Sequence, residues 1–261
     1  MPVRPPASAA TRPVVIDPDA VPRPLFVLRQ LHGHAAASPH RHRRGQLLHA
    51  AQGVLRVETA QGRWVAPPQR GVWIPPATLH SVSSARPFDL CTLYVDRRLA
   101  RELPVTCCVV TVSPLLNELL LEAARYGLAW PRGGRQERLM RVALDQLAAA
   151  PGEPLYLPLP VDRRARRVVD ALGASPGDGR SLADWAVVAG ASERTLARLF
   201  TTQTGMSFVQ WRRLCRLLAA IEQMAAGASV TAAALEVGYD NVSAFGRDFK
   251  RALGATPGAY F

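Results

Sequence analysis

A chain of 261 residues has room for two domains. It shows no apolar run long enough to span a membrane and no secretory leader pattern, so it is expected to be cytoplasmic with no membrane partner. The net charge of +12 favours a polyanionic partner, but residues 1–160 carry +8 of it and residues 161–261 only +4, so charge does not locate the contact. No P-loop, dinucleotide loop or Ser/His/Asp set points to a common enzyme class.

Residues 1–24 hold seven prolines and read as a flexible N-terminal segment. Residues 25–100 then alternate short apolar runs with Gly and Pro breaks, the pattern of a small β-barrel. The runs are 25–31, 46–50, 53–59, 71–74 and 88–95. Three of the six histidines in this stretch fall in two clusters, His40-x-His42-x3-Gln46-x6-Gly53 and Pro75-x-Ala77-x2-His80. If these three imidazoles met, they would suit Zn, Fe, Ni or Cu, so a divalent transition metal is one expected cofactor. Arg41, Arg43 and Arg44 would repel a cation if they pointed inward, and strand alternation turns Arg41 and Arg43 outward. Trp73 and Tyr94 are candidates for the wall of an effector pocket, with core packing as the alternative for each.

These two clusters resemble the paired motifs of the cupins. Gln46 stands where the family usually has glutamate, Ala77 where it has glycine, and Ser84 where it often has asparagine. The resemblance implies that His40, His42, His80 and the residue at position 46 converge inside the barrel. Two readings stay open: a metal site in which Gln46 adds an uncharged oxygen, or a polar pocket for a small-molecule effector that has lost its metal.

Residues 115–128 and 136–150 are predicted helices, with Leu115, Leu116, Leu119 and Leu120 in one stripe. The barrel or a second subunit would cover that stripe. Sensor elements thus fill residues 25–150. The proline-rich stretch 151–161 reads as an extended linker. Cys91, Cys107, Cys108 and Cys215 lack zinc-finger spacing. Cys107 and Cys108 are read as inert thiols rather than oxidation sensors.

The last domain, residues 162–261, contains an internal repeat. Ala186 and Gly190 recur as Ala234 and Gly238, offset by 48, while Arg198, Phe200 and Gly205 recur as Arg247, Phe249 and Gly254, offset by 49. Each copy reads as helix, glycine turn, helix. Ser181 and Ser192 are the predicted caps in the first copy, and Thr231 with Asp240 or Asn241 in the second. A rod from about Ser207 to Ala226 joins them, its apolar side carrying Phe208, Trp211, Leu214, Cys215, Leu218, Ile221 and Met224. Two such units on one rod would place their second helices roughly 34 Å apart, in successive major grooves of one duplex.

This region resembles the DNA-binding domain of the AraC/XylS family of transcriptional regulators. The resemblance rests on Ala233-x4-Gly238-Tyr239-x5-Phe245-x3-Phe249-Lys250-x3-Gly254-x-Thr256-Pro257-x2-Tyr260. It implies double-stranded DNA as partner, read by Arg194, Ala197 and Arg198 in the first unit and by Val242, Ser243, Gly246 and Arg247 in the second. It also implies RNA polymerase as a partner if the protein activates, and a homodimer formed through the helices at 115–150. Arginine pairs with two acceptors of guanine, so base readout should lean toward Arg194 and Arg198. The expected fold is α+β, a cupin-like barrel with flanking helices followed by an all-α double helix-turn-helix. The expected function is an effector-gated transcriptional regulator, not an enzyme. The alternative is a metal-dependent cupin enzyme, of dioxygenase or isomerase type, fused to a helical DNA-binding domain.

Overall fold

The computed structural model describes residues 16–32, 36–50, 53–84, 87–153 and 155–260. Most of the expected flexible start, residues 1–15, therefore lies outside the described residues. Residues 16–24 depart from that expectation. Pro18–Ala20 form a 3-10 turn capped by Asp17, and Val21 is buried. The Arg44 guanidinium holds this turn down by donating to the carbonyls of Pro18, Val21 and Arg23.

Two antiparallel sheets follow. The first has the order β1 (Leu25–His32), β8 (Phe88–Val95), β3 (Gly45–Ala50), β6 (Arg70–Ile74), β9 (Cys108–Thr111) and β10 (Gly152–Glu153). The second has the order β11 (Tyr156–Pro158), β5 (Gly62–Ala66), β4 (Leu55–Thr59), β7 (His80–Ser83) and β2 (Ala36–His40). Among the described residues no ladder joins the sheets into the closed barrel that was expected. They share a core instead, an arrangement compatible with a cupin-like fold. Leu48, Val72 and Ile74 of the first sheet meet Leu55, Val57 and Val82 of the second. The two-residue period of β4 explains its place: Leu55, Val57 and Thr59 are buried while Arg56 and Glu58 face the other way.

The outer face of the first sheet carries Leu47, Trp73 and Leu93 and is covered by α1 (Pro114–Arg125) and α2 (Arg135–Ala149). Leu116 and Leu120 are fully buried there, so packing within the chain accounts for much of the leucine stripe, while Leu115 stays exposed. The proline-rich stretch is extended, as read, and it also pairs with both sheets. Gly152 and Glu153 pair with β9, and Tyr156–Pro158 pair with β5. Leu155, Leu157 and Leu159 are buried, and that apolar content outweighs the prolines. Pro158 is tolerated because β11 is an edge strand.

The helical domain comprises α3 (Arg163–Ala174), α4 (Leu182–Ala189), α5 (Glu193–Thr204), α6 (Phe208–Ala225), α7 (Val230–Glu236), α8 (Val242–Leu253) and α9 (Pro257–Tyr260). Phe208, Trp211, Cys215, Leu218, Ile221 and Met224 of α6 are buried as predicted, whereas Leu214 is only partly so. The apolar core runs from the second sheet into this domain without a break. Trp211 donates its indole N–H to the Pro158 carbonyl at 2.7 Å. Glu222 of α6 forms a two-pronged ion pair with Arg56, and Glu58 bridges Arg63 and Arg166 of α3. Among the described residues no helix is long and apolar enough to cross a membrane.

Candidate functional site

Each repeat folds as helix, turn, helix. Ser181 caps α4 in a reciprocal box with Asp184, and Gly190 ends that helix at φ 66°, a left-handed conformation that glycine adopts without strain. Ser192 caps α5 and Asn241 caps α8, as expected. The first helix of the second unit starts earlier than predicted. Ser229, not Thr231, is its cap, because the Ser229 hydroxyl accepts from the Ala232 N–H and so satisfies an orphan donor. Gly238 (φ 83°) has a further constraint, since a Cβ there would meet the Gly177 carbonyl at 2.8 Å. Arg216 of α6 ties this turn to the first unit by donating to the carbonyls of Gly238, Pro176 and Asp178.

On the second helix of each unit, Leu196, Leu199 and Phe200, or Phe245 and Phe249, form the buried face. Arg194, Arg198, Ser243 and Arg247 are exposed, with Ala197 and Gly246 partly so. Val242 is half-buried against the core, which leaves it less free than the repeat suggested. Among the described residues Arg194, Arg198 and Arg247 form no ion pair. Arg164, Arg166, Arg180, Arg213 and Arg251 all do. Arg163 and Lys250 are likewise exposed and without an ion pair among the described residues, so the three helix arginines share that state with other cations of the domain.

In the sensor domain the three predicted histidines do converge. His40 and His80 are register partners on β2 and β7, and their rings lie 4.4 Å apart. The His42 ring is 5.0 Å from His40 and 5.9 Å from His80. One ring nitrogen from each falls within 4.8 Å of the others. Backbone carbonyls set the tautomers: the Nδ1–H of His40 donates to Ser38, and that of His80 to Thr78. That leaves Nε2 as the atom each ring can offer, as in a metal-binding imidazole, although the His80 Nε2 faces the Gln46 amide nitrogen. Burial pulls the His80 pKa down to about 4, and burial with the nearby His40 lowers that of His42, so both rings are neutral near pH 7. The donor set thus fits an intermediate-to-soft divalent metal, and among the described residues no carboxylate joins the three histidines to favour magnesium or calcium.

The neighbours of this cluster follow the sequence reading only in part. Gln46 is buried with its amide nitrogen 2.5 Å from His80 Nε2. Tyr94 packs its ring edge-on to His42 at 5.9 Å, which agrees with a pocket-wall role. Trp73 does not. It pairs with Leu47 rather than Gln46, so strand alternation turns it into the core beneath α1 and α2, where it donates to the Pro104 carbonyl. Arg41 is exposed, Arg43 pairs with Asp19 and Arg44 is spent on the N-terminal turn, so none of the three crowds the histidines. The Ala77 N–H donates to the His42 carbonyl at 2.7 Å and joins the two motifs. Ala77 has φ 63°, which explains why glycine is usual at that motif position. Burial pushes the Cys91 and Cys107 thiols up to about 12 and Cys215 to about 11, so all three stay protonated near neutral pH, as inert thiols do.

Sequence reading missed Arg56, Glu58, Arg166, Glu222 and Arg216, which join the domains or the two helix-turn-helix units. The alternation of β4 signalled its charged face, but nothing local signals a partner 166 positions away. Asp17 and Asp19 were also missed, and their charge reaches His42.

A helix-turn-helix domain model matches residues 185–261, and an AraC-like ligand binding domain model matches residues 28–157. The chain is 36% identical over 221 residues to the HTH-type transcriptional regulator NimR of Escherichia coli K12, covering 85% of this chain and 81% of that protein. The HTH-type transcriptional regulator RipA of Corynebacterium glutamicum is 40% identical over 103 residues, spanning 40% of this chain and 31% of RipA. Among solved structures, unsaturated fatty acid-bound ToxT from Vibrio cholerae aligns over 90% of this chain and 94% of its own, with 11% identity and a TM-score of 0.39. The matched models, together with the long alignment to NimR, show that this chain belongs to the AraC family of helix-turn-helix transcriptional regulators, with an N-terminal ligand-binding domain.

Proposed function

We propose that the effector is a divalent late transition metal held by His40, His42 and His80, and that loading this site changes how α5 and α8 engage DNA. The observation that carries the reading is the convergence of the three rings, with one nitrogen of each within 4.8 Å of the others and with carbonyls taking the Nδ1 protons of His40 and His80 so that Nε2 is the atom each can offer. Base contacts fall to Arg194 and Arg198, with Ala197 contributing shape. Val242, Ser243, Gly246 and Arg247 form the second contact, in which Arg247 is the guanine reader or a phosphate clamp. The exposed, unpaired state of the three arginines supports this assignment. A homodimer through α1 and α2 belongs to the same reading, supported by exposed Leu115 and Val142. RNA polymerase is a partner if the operator position makes the protein an activator.

The route from site to DNA runs through β4. His80 on β7 pairs with Thr59 on β4, and the outward residues of β4 grip α6 through Arg56–Glu222 and α3 through Glu58–Arg166. A ligand shifts such a system only as far as its affinities for the two states differ. Elemental analysis of tag-free protein purified without chelator, combined with operator binding on adding zinc, nickel, copper or iron, tests the reading. One metal per chain and a shift in DNA affinity that His80→Ala abolishes are expected. Metal-free protein whose DNA affinity ignores all four ions would overturn it in favour of an organic effector in the same polar pocket.

A further inference from the structure

Gln46 does more than fill the place of a carboxylate. It lies 2% exposed on a strand paired on both sides, opposite Ile74 and Tyr94, so its backbone has no freedom to move. Its amide nitrogen sits 2.5 Å from His80 Nε2. The Thr78 carbonyl can only accept, so the neutral His80 ring carries its proton on Nδ1 and offers a lone pair at Nε2. That lone pair also needs a donor, and Gln46 must present its NH2 rather than its oxygen. The lone pair a metal requires is therefore already engaged by the protein.

We propose that the Gln46 amide is a two-way group that plugs His80 when the site is empty and presents Oε1 as a fourth ligand when a metal is bound. This inference rests on the metal reading above and adds what sets its affinity and selectivity. The exchange needs rotation of the terminal amide and a retreat of its side chain from His80 by under about 1 Å, because two donors on one tetrahedral metal lie roughly 3.3 Å apart rather than 2.5 Å. The rotated group brings no charge, so the loaded site consists of three imidazoles and a carbonyl oxygen. Such a shell favours zinc, nickel or copper over manganese or magnesium. Breaking the plug lowers the affinity for every metal by about the worth of one hydrogen bond, on the order of 2- to 10-fold.

The test is a zinc chloride titration of the full-length protein, followed by the side-chain amide and imidazole nitrogen resonances, together with zinc and manganese affinities of wild type and Gln46→Glu. In the metal-free wild type, one Gln46 amide proton should be protected from exchange and His80 Nε2 should show a hydrogen-bonded lone pair. Zinc should move both signals and remove the amide protection. Gln46→Glu, which cannot donate to Nε2 when ionised and adds a charge, should bind zinc about ten-fold tighter or more and gain measurable manganese binding. Zinc shifts at the histidines with a stationary Gln46 signal, or a Gln46→Glu variant within two-fold of wild type for both metals, would overturn this inference and leave the metal reading intact. Absence of any zinc response in both proteins would sink the two together. If Gln46→Glu does not fold, the wild-type resonances alone decide the matter.

Discussion

Removing the Arg56–Glu222 pair should weaken the coupling of the sensor to the DNA-binding helices without touching the histidines. The pair is two-pronged, and the side chains of Arg56 and Glu222 are 38% and 19% exposed. Fully exposed ion pairs contribute about 0.2–1 kcal/mol. Charge-assisted hydrogen bonds out of water reach about 1.5–3 kcal/mol. Partial exposure of the arginine puts this pair between those limits, at about 1 kcal/mol. The appropriate measurement is a double-mutant cycle of Arg56→Ala and Glu222→Ala, read both by denaturant unfolding and by operator affinity with and without metal. The interaction term should be about 1 kcal/mol in stability. Binding is reciprocal, so the part of the metal-induced shift in DNA affinity carried by this pair is at most about five-fold. Metal affinity should change by no more than that same factor. A cycle whose interaction term vanishes, or a double variant with the full metal response, would refute the argument that β4 transmits the signal through α6.

Arg198→Ala should weaken operator binding by about 1–3 kcal/mol and relax preference at one base position; an equal loss on random duplex would mark the residue as a phosphate contact. Ala77→Gly should stabilise the protein by up to about 1 kcal/mol, because it removes the strain of a left-handed alanine; a lower unfolding midpoint would contradict that. Acid should loosen the Glu58 clamp. Burial alone would raise the Glu58 pKa, but Arg63 and Arg166 outweigh it and hold the carboxyl below its usual value. A depressed folded pKa means the stabilisation is present above the ordinary carboxylate range and is lost as pH falls below it. Glu58→Gln should therefore flatten the acid limb of the stability curve, and an unaltered limb would show that the clamp is not a stabilising contact.

The two halves of this protein were legible in the sequence to different depths. Helix caps, glycine turns and apolar stripes act over three or four residues, so Ser192, Gly190 and Phe245 announced both helix-turn-helix units before any coordinates. The cupin resemblance implied that His40, His42 and His80 would meet, and the register of β2 with β7 brings His40 and His80 together. Where periodicity was short, local reading left more open. The stretch around Leu155, Leu157 and Leu159 was read as an extended linker without its strand partners, and Trp73 was left between pocket wall and core packing, of which the fold shows core packing. The direction of a strand's side chains depends on which sheet receives it, and sequence does not state that over four or five residues. The grip of Arg56 on Glu222, the junction made by Arg216 and the closure of His80 by Gln46 were settled only by the tertiary fold. Contacts between residues tens to hundreds of positions apart leave no repeat in the chain and arise from how sheets and helices stack. Local chemistry determined what the elements are, and long-range packing decided how the sheets and helices join.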